Sequence, residues 1–122
     1  MGDERYKQLA SFTIEIVDGG EEDEIMKKVD QRARLEQLAE ECGELSKACL
    51  KLIRAKGNGN PCNVLPEEAA EKVVEECSDV LVAMAYILCE LQEEVPFDID
   101  LRISEIAEDK IERWNRRVLD EE

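Results

Sequence analysis

The chain has 122 residues, 31 acidic and 16 basic, for a formal charge of −15. A hydrophobic share of 43% is too high for a disordered acidic chain, so a packed core is within reach, and the length suits a single domain over 1–122. Histidine is absent, which excludes His general bases, Ser-His-Asp triads, His-ligated zinc or haem, and the Glu-x-x-His pairs of di-iron bundles. The charge argues against a nucleic-acid polymer as partner, because binding one needs a basic footprint. Much of the acidic excess reads as soluble surface. The alternative is that part of it is gathered to hold cations.

Five cysteines, Cys42, Cys49, Cys62, Cys77 and Cys89, are odd in number, scattered and without a CxxC. They argue against a disulfide framework or a zinc site, and for a reducing, cytoplasmic compartment. The N-terminus has no apolar signal core. The longest uncharged apolar stretch, 80–89, falls far short of the roughly 20 residues that span a bilayer, so no membrane partner is expected.

In chain order, residues 1–23 are weakly patterned, and Gly19-Gly20 breaks them. Residues 24–56 form a long helical pattern. GNGNPCNVLP, 57–66, is a loop of turn-forming dipeptides and two prolines. Residues 67–94 form a second long helix, with Pro66 and Glu67-Glu68 suited to its N-terminus. Val95-Pro96 interrupts, and Asp98 suits the N-cap of a last helix reaching about Val118.

The first long helix carries an apolar stripe, Leu35, Leu38, Cys42, Leu45, Cys49 and Leu52, at alternating steps of three and four. The second repeats it with Val73, Cys77, Val80, Met84, Ile87 and Leu91. Two such helices with a short loop are expected to pack antiparallel. On this reading Cys42 and Cys77 above all, with Cys49 and Cys89, are small core residues, whereas Cys62 sits in the loop and is assigned no role. The fold class is therefore all-α, and the narrow seams suggest a core completed by oligomerisation.

An internal repeat carries the chemistry. AEECGEL, 39–45, resembles VEECSDV, 74–80, at an offset of 74 − 39 = 35. At about 100° per residue, Glu41 and Glu44 lie on one flank of the first stripe, and Glu76 and Asp79 lie at the same angles beside the second. Glu40 and Glu75 point nearly opposite. Carboxylates at i and i+3 repel, and the edge of a core adds a desolvation cost. One reading is solvated flanks helped by local lysines such as Lys47. The sharper reading is a site for hard cations, Mg²⁺ or Mn²⁺, which take oxygen ligands.

The last helix offers the opposite charge. Lys110, Arg113 and Arg117 lie at i, i+3 and i+7, and Lys110 and Arg117 share a side with Ile103, Ala107 and Trp114. Basic residues suit a helix C-terminus, and their stems snorkel along apolar surface. The functional alternative is contact with phosphates.

EECGEL, a short polar loop, EECSDVL and then DKIERWNRR together resemble the MazG-like branch of the all-α nucleoside triphosphate pyrophosphohydrolases over about Arg34 to Arg117. The resemblance implies a bundle of four or so helices, as a dimer or dimer of dimers. It also implies Mg²⁺-dependent cleavage between the α- and β-phosphates of a nucleoside triphosphate, giving monophosphate and pyrophosphate, in nucleotide-pool house-cleaning. Carried over by position, the metal ligands are Glu41, Glu44, Glu76 and Asp79, and Glu41 or Glu44 is the base. Lys110, Arg113 and Arg117 are the phosphate contacts. Two alternatives remain. Phosphoribosyl-ATP pyrophosphohydrolase uses the same chemistry on another substrate. A non-catalytic helical interaction module predicts no response to Mg²⁺.

Overall fold

Asp30 opens the first helix as short polar N-caps do. Its backbone is extended (φ −79°, ψ 171°), and its Oδ1 accepts from the Ala33 N–H at 2.8 Å. The computed structural model describes residues 30–121. These form three helices, α1 (Gln31–Ala55), α2 (Pro66–Leu91) and α3 (Ile99–Glu121), and no strand lies among the described residues. The all-α expectation holds. The weakly patterned segment 1–23 and any fourth helix within it lie outside the described residues. The expected single helix over 24–56 is corrected at its start, because Asp30 is extended and caps a helix that begins at Gln31. Among the described residues no helix is long and apolar enough to cross a membrane.

The end of α1 is built by glycine. Gly57 adopts φ +89°; its N–H donates to Arg54 O at 2.9 Å, and the Asn58 N–H donates to Ile53 O at 3.1 Å. This pair of bonds is a Schellman cap, which satisfies carbonyls that the helix leaves open. A Cβ at Gly57 would meet no atom within 4 Å, so a side chain there costs only backbone strain. Gly57→Ala is therefore expected to lower unfolding stability by about 1 kcal/mol. A shifted urea midpoint at unchanged slope checks it. Pro66 then takes the first helical position of α2, where its missing N–H is no loss, and Glu67 and Glu68 complement the helix dipole.

The described residues fall in two compact units, 30–87 and 88–121. In the first, α1 and α2 form an antiparallel hairpin: Ala33 lies near Tyr86, and Glu41 near Asp79. The more buried residues of α1 include Arg34, Leu38, Glu41, Leu45, Ala48, Leu52 and Ala55. Those of α2 include Ala69, Val73, Glu76, Val80, Ala83 and Ile87. Both series step by four and three, but the α1 series is turned by about 50° from the stripe that hydrophobicity marks. Leu35, Cys42 and Cys49 consequently lie exposed, and Cys77 is half-buried. The reading of Cys42 and Cys49 as core residues is corrected: the inward face of α1 runs through Arg34 and Glu41 instead.

In the second unit α2 ends at Leu91, three residues before the expected end at 94. Glu93 and Glu94 donate to carbonyls three residues back, at 3.3 and 2.9 Å, so the chain turns there. Pro96 has no N–H to continue a helix, and it biases Val95 toward extended backbone. The Gln92 side chain bridges the junction: its Nε2 donates to Phe97 O at 2.7 Å, and its Oε1 accepts from the Ile99 N–H at 2.8 Å. Asp98 caps α3 as expected, its Oδ1 accepting from the Leu101 N–H at 3.2 Å. The Arg102 guanidinium lies 4.3 Å from the centre of the Phe97 ring.

Candidate metal centre

On the hairpin, Glu41 of α1 and Glu76 and Asp79 of α2 each present a carboxylate oxygen, and these oxygens lie within 4.8 Å of one another. Helical geometry explains the grouping. Glu76 and Asp79 are one turn apart on one face of α2, and Glu41 stands on the inward face of α1 opposite them. Glu76 is 5% exposed, Glu41 is half-buried and Asp79 is exposed, so the group runs from the seam out to solvent.

Carboxylates in a seam need compensation. Glu41 receives a hydrogen bond from Gln37 Nε2 at 2.6 Å. Glu76 pairs with Lys72 Nζ at 3.0 Å, and the same ammonium lies 3.4 Å from Glu75. The hydrogen bond to Glu76, followed by that to Glu75, raises the Lys72 pKa above its ordinary value of 10.5. The ammonium is therefore charged throughout the neutral range. Three oxygen donors of net negative charge, with no sulfur or nitrogen among them, suit a hard divalent cation.

The expected ligand set is only partly gathered. Glu44 lies outside the three-carboxylate group, exposed, with its Oε1 3.5 Å from Lys47 Nζ. On α3, Lys110, Arg113 and Arg117 are all exposed. Lys110 Nζ lies 5.8 Å from the centre of the Trp114 ring, and Arg113 pairs with Asp109 at 3.5 Å. Arg116, one residue away, is the best-paired cation of that helix, 2.6 Å from Glu112.

Two of the carboxylates, Glu41 and Asp79, open onto a cleft of about 690 Å³. Glu41 and Asp79 form its acidic edge, Val82, Ala83 and Tyr86 an apolar wall, and Arg34 and Gln37 a polar one. A volume of this size accommodates a small organic ligand. Arg34 and Gln37 are absent from the sequence-derived site. Arg34 is 5% exposed although charged. The available signal was rotational: Arg34 lies seven residues before Glu41, two turns along the same face. Tyr86 is half-buried on the cleft wall, and Trp114 is exposed on α3.

Residues 30–118 match the family model of the MazG nucleotide pyrophosphohydrolase domain. No curated protein and no solved structure matches the chain.

Proposed function

The chain belongs to the MazG nucleotide pyrophosphohydrolase family, and from that premise we propose that it is a divalent-cation-dependent nucleoside triphosphate pyrophosphohydrolase. It cleaves the α–β phosphoanhydride and releases a nucleoside monophosphate and pyrophosphate, as a house-cleaning activity on the nucleotide pool. The observation that carries this reading is the meeting of Glu41, Glu76 and Asp79, two of which, Glu41 and Asp79, edge a cleft large enough for a nucleoside.

Glu41, Glu76 and Asp79 hold the cation, and Glu44, one turn beyond Glu41, completes the ligand set. Mg²⁺, or Mn²⁺ in its place, supplies positive charge to the phosphate oxygens and makes a bound water more acidic. Glu41 or Glu44 accepts the proton of the attacking water. Lys110, Arg113 and Arg117 bind phosphate oxygens and stabilise charge on the leaving pyrophosphate. The absence of histidine is no obstacle, because carboxylates do the acid–base work. The functional form is a homodimer or homotetramer. Its support is the apolar surface left open on α1, where Leu35, Leu50 and Ile53 are each about half exposed.

The test is pyrophosphate release from a panel of nucleoside triphosphates, with and without Mg²⁺. Release of pyrophosphate and monophosphate only with Mg²⁺ is expected, and Glu44→Gln and Asp79→Asn are expected to lower it by about 100-fold. Turnover in the presence of a chelator, or orthophosphate as the sole product, contradicts the reaction. Full activity in both variants contradicts the site.

A further inference from the structure

Gln37 and Lys72 share a relation that the two acidic pairs, Glu41 with Glu44 and Glu76 with Asp79, do not contain. Gln37 stands one turn before Glu41 and donates to its Oε1 at 2.6 Å. Lys72 stands one turn before Glu76 and reaches its Oε1 at 3.0 Å. The interval between the donors is 72 − 37 = 35, equal to that between the glutamates, 76 − 41 = 35. The repeat therefore extends one turn upstream of the acidic motifs and includes the group that holds each inward glutamate.

The two donors differ in charge. A carboxylate only accepts, so Gln37 must offer its NH₂, and the polarity of that amide is fixed. The amide orients Glu41 and leaves its full negative charge. The ammonium of Lys72 orients Glu76 and offsets its charge. It also lies 3.4 Å from Glu75, so a second carboxylate is already within its reach.

We propose that Gln37 and Lys72 are equivalent positioning residues of the cation site with opposite effects on its affinity. Gln37 presents Glu41 to the ion at full charge, whereas Lys72 stands on Glu76 as a resident cation that the ion displaces toward Glu75. This rests on reading Glu41, Glu76 and Asp79 as a cation site.

The test is titration of the full chain with Mn²⁺ in the absence of nucleotide, following the electron paramagnetic resonance signal of free Mn²⁺. Melting of the cation-free protein is measured in parallel. Gln37→Leu, which removes the donor, is expected to raise the Kd about tenfold. Lys72→Gln keeps a donor and removes the charge; it is expected to lower the Kd about fivefold, the upper end for a part-exposed ion pair. Gln37→Lys keeps a donor and adds a charge; it is expected to raise the Kd by a similar factor. Cation-free melting moves with the charge instead, lower in Lys72→Gln and higher in Gln37→Lys. General damage weakens binding in every variant, so weaker binding in Lys72→Gln overturns the proposal. So does an unchanged Kd in Gln37→Lys. If Gln37→Leu fails to fold, the two donor-for-donor swaps decide the matter alone. A wild-type chain that binds no Mn²⁺ overturns the cation site itself, an outcome read without any variant.

Discussion

Glu76→Gln is expected to lower nucleotide turnover by about 100-fold, equivalent to about 2.7 kcal/mol of transition-state stabilisation, in a protein that stays folded. Glutamine matches the shape of glutamate, so the seam stays filled, but it brings no charge to a cation. The folded state tolerates the change for two opposing reasons. The lost pair with exposed Lys72 is worth little, because solvent screens it. Against that, removing a carboxylate that is 5% exposed relieves desolvation and its repulsion with Glu41 and Asp79. Steady-state pyrophosphate release, beside melting of the cation-free protein, separates loss of function from loss of fold. Glu40→Gln is the control. Glu40 is exposed and outside the carboxylate group, and its substitution is expected to leave turnover within about twofold of wild type. Wild-type turnover in Glu76→Gln contradicts the role of the buried carboxylate.

Mg²⁺ at about 100 times its Kd is expected to stabilise the protein by about 2.7 kcal/mol, because the ion binds the folded state and not the unfolded one. For a chain of this size that is a rise in Tm of about 10 °C. A charge of −15 makes a control necessary, since any salt screens self-repulsion. NaCl at matched ionic strength is expected to give only a small part of the rise, and Glu76→Gln to abolish the remainder. Equal shifts with NaCl and Mg²⁺ contradict a specific site and favour a helical module with solvated acidic flanks.

Much of the fold was legible because its punctuation is local. Gly57, Pro66, Pro96 and Asp98 each act through their own backbone geometry, and each stands at or beside a helix boundary or turn. The cap at Asp30 was not legible, because the helical pattern runs through it from residue 24. The repeat was legible too, because matched spacing gives matched angles on any pair of helices. The rotational phase of α1 was not. Assigning apolar residues to the inside selects Leu35, Cys42 and Cys49, yet the inward positions are Arg34, Glu41 and Ala48. Hydropathy counts a buried arginine or glutamate as evidence for solvent, so a site built into a seam pulls the apparent stripe away from itself. The same error hid Arg34 and Gln37. Glu44 illustrates the converse. Its motif position equals that of Asp79, but the side chain lies outside the carboxylate group, and no spacing rule distinguishes the two.

The placement of Glu41 and Glu76 within the hairpin seam makes cohesion and ion affinity draw on the same positions. Leucine at either site would bring the two helices together more favourably and leave nothing for an ion to bind. The hairpin is thus locally frustrated, held short of its best packing by groups kept for another purpose. Selection on thermal endurance alone would favour replacing these two glutamates, and selection on turnover would oppose it. Acids at these two positions of the seam mark a compromise between robustness and chemistry.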